Sequence, residues 1–405
     1  MNLEIDEKEL WRLTEELIAI PSTTLDGDEI YDFALNYLRS NGVDASAQNY
    51  SNMYPMVLFN KPPNIVGSLG DENKTTVHLN CHLDTVSPSD SWHTDPYSPM
   101  REGSKLFGLG ACDMKAGAAV LLYIMKTLAE NPQTLKKRVV LSCVSGEEAP
   151  YSLGTDALMK MNDLSGTDLV IIPEPSPVLS TNDHCVVHGK RHRSGFPSII
   201  VGAAGRRIYA VGLYGRSAHA SHPDRGVNAL EEAARIITNL KDFNLFYTIK
   251  GGSGHYCILR LDGGDETFTV PGHCSMLVNR QMVLGEKERD IKKEIKGVIS
   301  RLGLKSKIRI EKRFSPLPEL EYDPYVCEGG KELQEFIGLV EEETGKKQCR
   351  FITRSVGDFN YFGSRLKKPT VVFGPGGDHI HAPGEYVIMD QAVETARLVL
   401  KYLTG

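Results

Sequence analysis

No two of the eight cysteines stand two residues apart; Cys81, Cys112, Cys143, Cys185, Cys257, Cys274, Cys327 and Cys349 are scattered singly. That usage argues against a disulfide framework and for reduced thiols in a cytoplasmic protein. Long apolar runs are missing as well. A membrane helix needs roughly 18 apolar residues in succession, and Met1 to Ile20 is already interrupted by Glu4, Asp6, Glu7, Lys8, Glu9 and Arg12. Neither a membrane span nor a targeting segment is expected. Charge of one sign is never concentrated: 46 basic and 52 acidic side chains give a net −6 without a like-charged block. Such a surface does not suit a polyanion, so nucleic acid is not an expected partner. Internal repeats and low-complexity tracts are also absent. At 405 residues the chain exceeds the size at which one core stops growing, and two domains are expected.

What the chain does have is an alternation of short β-rich runs with helical ones, the pattern of an α/β fold: a mixed sheet with helices on both faces. Thr75 to Leu79, Arg138 to Val144, Asp168 to Ile172 and Pro369 to Phe373 are short and rich in Val, Ile and Leu, and read as buried strands. Met114 to Glu130 is apolar nearly all round and reads as a helix packed deep on the sheet. Where these apolar runs stop, an ordered series of metal-type side chains begins: His82 with Asp84, Asp113, Glu147 with Glu148, Glu174 and His381. Open α/β sheets bind ligands beyond the carboxyl ends of their strands, where these residues fall. Two imidazoles and five carboxylates have the composition of a two-zinc site with a base. Each alone reads as a cap or a surface charge. Gathered together, close carboxylate pairs repel by about 1 to 4 kcal/mol at 4 Å, which cations among them relieve.

A second segment, residues 207–316, breaks the pattern. It holds a strand-like run from Ile208 to Tyr214, a helix near Val227 to Lys241, a β-rich stretch ending at Arg280, and an amphipathic helix through Ile291, Ile295, Val298, Ile299 and Leu302. This reads as an inserted α+β domain between the two parts, 1–206 and 317–405, of a discontinuous catalytic domain. Beyond it, Tyr325 to Glu343 and Asp390 to Leu403 read as helices.

Six segments together resemble the co-catalytic zinc amidohydrolases and metallopeptidases that include glutamate carboxypeptidase, aminoacylase, acetylornithine deacetylase, succinyl-diaminopimelate desuccinylase and peptidase T. They are Cys81-His82-Leu83-Asp84-Thr85-Val86, Gly108 to Gly117 around Asp113, Gly146-Glu147-Glu148, Pro173-Glu174-Pro175, Gly215-Arg216-Ser217-Ala218-His219 and His381-Ala382-Pro383-Gly384-Glu385. Any one is weak evidence; six in family order are strong. The resemblance implies two divalent ions, zinc first with cobalt or manganese also suited. Asp113 bridges them, His82 and Glu174 complete one site, and Glu148 and His381 complete the other. It further implies Glu147 as general base on a water between the metals, Asp84 as the group orienting His82, His219 reaching across a homodimer interface to stabilise the oxyanion, and Arg280 binding a substrate carboxylate. The insert becomes a dimerisation and lid domain.

The expected activity is amide hydrolysis in a small peptide or N-acyl amino acid, by a carboxypeptidase, dipeptidase or deacylase. The alternatives are a zinc aminopeptidase of similar catalytic fold, a non-catalytic relative and, more remotely, a two-metal phosphodiesterase. Two departures from the family pattern stand in the insert: Phe268-Thr269-Val270-Pro271 lacks the usual Asn, and Asn279 replaces the usual Asp before the Arg. His184, His188 and His192 recur every four residues, but Val186, Val187 and Gly189 oppose a helix, so no second metal site is expected, and Lys190 to Arg193 reads as a basic loop. Gly374 to Gly377 reads as a turn delivering His381, and Cys81 and Cys112 as packing.

Overall fold

The computed structural model of the protein describes residues 3–23, 27–57, 60–148, 152–176, 184–187, 190–193, 195–240, 254–264, 267–313, 321–348 and 350–405. The chain divides into two compact units, Met1–Gly202 with Val326–Ile352 and Gly357–Gly405, and Ala203–Tyr325 with Thr353–Val356. The second unit reaches beyond 207–316 at both ends.

The first unit is built on a mixed sheet. Strands β1 (Asp44–Gln48), β2 (Asn64–Leu69), β3 (Thr76–His82), β4 (Arg138–Val144) and β5 (Thr167–Ile172) lie in the order β1-β2-β4-β3-β5, followed by Thr370–Val372, Ile199–Ala203 and Tyr325–Val326. β3 is central and parallel to both β4 and β5, while β2 runs antiparallel to β4. Every residue of β3 is buried, which explains its near-continuous apolar reading. The strand runs on to His82, so the candidate ligand is its last residue rather than part of a following loop. Helix α1 (Glu7–Ala19) and the C-terminal helix Met389–Thr404 pack on α2 (Ala116–Glu130). Sandwiched in this way, α2 buries residues around almost its whole circumference.

The second unit is a four-stranded antiparallel sheet in the order β7 (His255–Gly263), β8 (His273–Met282), β6 (Gly205–Tyr214), β9 (Lys307–Lys312). Helices α3 (Ala229–Leu240) and α4 (Glu288–Arg301) cover one face. Their Ala233, Ile236, Ile291, Ile295 and Val298 join Tyr256, Cys274, Met276, Val278 and Met282 in one buried cluster. Because strand side chains alternate, the even-numbered residues of β8 point at the helices and the odd-numbered ones away from them.

Three local expectations change. The helix expected from Met114 starts at Ala116, because Asp113 and Met114 adopt non-helical angles, φ −119° and −130°. The helix expected from Tyr325 starts at Lys331, after Gly330 with φ 120°, and Tyr325–Val326 instead pairs into the sheet. Lys190–Arg193 is a strand, paired with His184–Val187 as a hairpin, and His188 lies outside the described residues. Alternation of short polar strands with charged residues carries little periodic signal, so a loop was the natural reading.

Candidate metal centre

Four chain segments of the first unit bring the acidic cluster together. His82 arrives at the end of β3. Its Nδ1 lies 3.0 Å from the backbone carbonyl of Asp84, which assigns the proton to Nδ1 and leaves Nε2 facing Asp113 Oδ1 at 3.2 Å. Asp113 sits on the bend before α2, half-buried. Its other oxygen, Oδ2, lies 3.6 Å from His381 Nε2. One carboxylate thus faces two imidazoles, one with each oxygen, the arrangement a bridging ligand requires. His381 Nε2 is also 2.8 Å from Glu148 Oε1. His381 stands on the loop between Gly377–Asp378 and Tyr386–Ile388, two short paired strands, and its φ of 61° is left-handed, an uncommon setting for a non-glycine residue.

Ligand atoms converge in two groups, each within 4.8 Å: His82 with Glu147 and Glu148, and Asp113 with Glu148 and His381. Glu174 stands outside both at that distance. After burial, the negative charge of Asp113 is the strongest influence raising its carboxyl well above the ordinary range, so it belongs to the same electrostatic neighbourhood. Two close contacts hold it there. A Cβ at Gly117 or at Gly374 would lie 2.2 Å from the carbonyl oxygen of Pro173, the residue before Glu174. Only glycine lets α2 and the Gly374 turn close on that peptide.

Asp84 does something other than expected. Its carboxylate is 3.9 Å from His82 Nδ1, beyond a hydrogen bond. It instead accepts the backbone N–H groups of Glu147 and Glu148 at 3.2 and 3.0 Å. His82 is oriented by the Asp84 carbonyl, and the Asp84 side chain shapes the Gly146-Glu147-Glu148 turn. Gly146 enters that turn with φ 69°, a value that favours glycine.

The electrostatics are those of a cluster short of positive charge. Burial is the largest influence on Glu147 and raises it well above the usual carboxylate range; His82 opposes this, and Glu148, Asp358 and Glu174 add to it. Burial lowers the His82 pKa, but its hydrogen bond to Asp113 and the charges of Glu147, Asp113 and Asp84 outweigh that and raise it well above 6.5. His381 is pushed up to about 9, chiefly by the hydrogen bond to Glu148. Asp84 is raised to about 6 by burial. The carboxylates around both imidazoles favour positive charge in their midst, which a proton or a metal cation can supply. Imidazole nitrogens and carboxylate oxygens in this number and spacing fit a pair of divalent cations.

Two residues of this centre had no role in the sequence reading. Asp358, fully buried, receives Asn80 Nδ2 at 3.2 Å and Thr155 Oγ1 at 2.6 Å, and its charge helps raise Glu147 and Glu174. Asn80 lies on the same face of β3 as His82, so one strand contacts both. Glu385 is the other: its carboxylate accepts the N–H groups of Gly110, Cys112 and Asp113 at 3.0, 2.9 and 3.0 Å. Glu385 belongs to a quoted motif, and a carboxylate ending such a motif was the available signal.

The family described as Peptidase family M20/M25/M40 matches residues 78–405, most of the chain. The chain belongs to peptidase family M20/M25/M40. It is an enzyme, a metal-dependent hydrolase. Among curated relatives, N-formyl-4-amino-5-aminomethyl-2-methylpyrimidine deformylase of Bacillus subtilis is 24% identical, over 99% of this chain and 95% of the relative. Succinyl-diaminopimelate desuccinylase of a Sulfurovum species is 23% identical, over 80% and 82%. The fold is shared with the crystal structure of aminopeptidase PepT from Bacillus cereus, at TM-score 0.74 and 19% identity over 99% of this chain and 98% of that one.

The remaining two expected residues lie in the second unit. His219 is exposed; Ser221 donates its N–H to Nδ1 at 3.1 Å, which puts the neutral imidazole's proton on Nε2. The ring therefore presents an outward N–H donor. Thr269 bridges to His219, and the neighbouring Phe268 is 85% exposed.

Arg280 requires a correction. It is 1% exposed and lies on the helix-covered face of β8, where Glu286 Oε1 binds its Nη2 at 2.6 Å and its Nε at 3.1 Å, and the Tyr256 ring stacks at 4.6 Å. An arginine so engaged does not present itself to a substrate carboxylate. The opposite face carries Asn279 and Gln281, linked at 3.3 Å, with Gln281 Nε2 also bonded to the Arg354 carbonyl. Position along the strand was legible in the sequence; the phase of one residue that decides the face was not.

Proposed function

We propose that this family member hydrolyses an amide bond in a small peptide or N-acyl amino acid, with two divalent ions, zinc first, held by His82, Asp113, Glu148, Glu174 and His381. The observation that carries the reading is Asp113, whose two carboxylate oxygens face His82 at 3.2 Å and His381 at 3.6 Å. Relatives whose names describe removal of a formyl or succinyl group from an amine support amide cleavage as the shared chemistry. A bound pair of cations supplies Lewis acidity, acidifying a water and polarising the scissile carbonyl.

The protein's own groups do the proton work. Glu147 accepts the water's proton and returns it to the leaving nitrogen. Burial, the largest influence, keeps its basicity high, and that suits a group that must hold a proton briefly. Asp84 positions Glu147 and Glu148 by fixing their N–H groups. His219, with its Nε2–H turned outward, suits an oxyanion donor acting in the partner subunit of a homodimer. Among the described residues six cysteines are free, which supports residence in a reducing cytoplasm.

The test is elemental analysis of purified enzyme followed by chelation. Two bound ions per chain, activity lost with chelator and restored by Zn²⁺, Co²⁺ or Mn²⁺, with turnover on acetyl-, formyl- or succinyl-amino acids or dipeptides, is the expected result. Full activity after complete metal removal overturns the reading. Substrates blocked at the N- or C-terminus separate it from an aminopeptidase. For His219, mixing Glu147→Ala and His219→Ala chains is expected to restore activity through heterodimers; no recovery after demonstrated subunit exchange removes the role in trans.

A further inference from the structure

Glu385 lies within the first unit, 1% exposed, and none of the proposed ligand or proton-transfer roles uses it. Three N–H groups within four residues converge on its carboxylate. Oε2 accepts from Gly110 at 3.0 Å, and Oε1 from both Cys112 at 2.9 Å and Asp113 at 3.0 Å. The Glu385 backbone carbonyl takes a further N–H, from Gly108, at 3.0 Å. The loop gripped in this way is Gly108 to Asp113, where Gly110 has φ 74° and Asp113 leaves helical angles before α2 begins. It carries Asp113, whose carboxylate faces His82 with one oxygen and His381 with the other.

We infer that Glu385 is a positioning residue for the metal pair, holding Asp113 in register with His381. The inference rests on the proposed ligand set. Glu385 follows His381 by four positions, and both stand on the connection between Gly377–Asp378 and Tyr386–Ile388. The hairpin that presents one ligand therefore also clamps the backbone of the ligand shared by both ions. Metal sites tolerate distance errors of only about 0.2 Å, so release of the Asp113 backbone misplaces both of its oxygens at once. Hydrogen-bonded partners behind a ligand typically set metal affinity by roughly 10- to 100-fold. Glutamine keeps part of this grip: its carbonyl oxygen can accept from Cys112 and Asp113, but its amide N–H₂ then meets the Gly110 N–H donor to donor.

The test is a Co²⁺ titration of metal-stripped protein, read by visible absorption and calorimetry, on wild type, Glu385→Ala, Glu385→Gln and Glu332→Ala. Glu332 is a control, a buried carboxylate of the same unit that pairs with Lys137 at 2.8 Å and Tyr402 at 2.6 Å. Glu385→Ala is expected to bind Co²⁺ about 10- to 100-fold more weakly with an altered absorption band. Glu385→Gln should fall between it and wild type. Glu332→Ala should lose thermal stability and keep the wild-type spectrum and affinity. Wild-type affinity and spectrum in folded Glu385→Ala overturn the inference; if that variant does not fold, the same result in Glu385→Gln overturns it. Should wild type itself bind no Co²⁺, the ligand set fails and the inference with it.

Discussion

In the first unit, burial and neighbouring negative charge push Glu147 and Glu174 far above their ordinary pKa, whereas in the second unit Glu232 is lowered. Burial opposes that lowering, and the Lys305 and Ser306 N–H groups overcome it at 2.7 and 2.9 Å. Arg280 and Glu286 pair in the same unit, Glu286 taking the Nε and Nη2 N–H groups. The cluster around Glu147 leaves its acids competing for positive charge, whereas Glu232 is satisfied where it stands. Glu232 and the proposed catalytic carboxylates thus differ chiefly in surroundings: surplus like charge marks the proposed set.

The contrast breaks most visibly at Glu147. Glu147→Ala is expected to lose about 10² to 10⁴ in turnover while binding metal and melting like wild type; steady-state kinetics with calorimetry checks it, and unchanged turnover rejects the assignment. The opposite signature is expected from the second unit. Arg280→Ala strands Glu286 and should cost about 3 to 5 kcal/mol of stability, measured by denaturant unfolding, with Co²⁺ affinity unchanged. Preserved stability together with a large rise in KM for carboxylate substrates restores the sequence-based role. Asp84→Ala, which frees the Glu147 and Glu148 backbone, should lower metal affinity or rate by about 10 to 100-fold, read by competition with a chelator of known affinity.

The smallest effect concerns pH. The folded pKa of Glu232 lies below its unfolded value, so its contribution to stability is fully present above the unfolded pKa, near 4.5, and is lost as pH falls through the folded value. The stability gap between wild type and Glu232→Gln should therefore be constant at neutral pH and shrink on acidification below that point. A gap that widens in acid contradicts the capping role assigned to the Lys305 and Ser306 amides.

Much of the catalytic unit could be read from residues alone, and for a definite reason. Buried parallel strands such as β3 and β4 announce themselves as apolar runs, and their ends are where sheet folds expose ligands. His82, Asp113, Glu148 and His381 meet accordingly. What escaped was long-range and side-chain specific. Glu385 grips amides more than 270 residues away in sequence, and no local pattern encodes such a reach. Asp358 is hidden behind Asn80 for the same reason. Arg280 shows a different difficulty: strand periodicity is two, so an uncertainty of one residue exchanges the helix-packed face for its opposite. The roles expected of Asp84 separated likewise, because a residue has both a carbonyl and a carboxylate, and only geometry tells which one His82 uses.

Gly117 and Gly374 both press on the peptide that precedes Glu174. A single methyl group at either position has nowhere to go except into that peptide. Substitution therefore has hardly any freedom at these two points, where the smallest side chain functions as a spacer with a tolerance finer than a carbon–carbon bond.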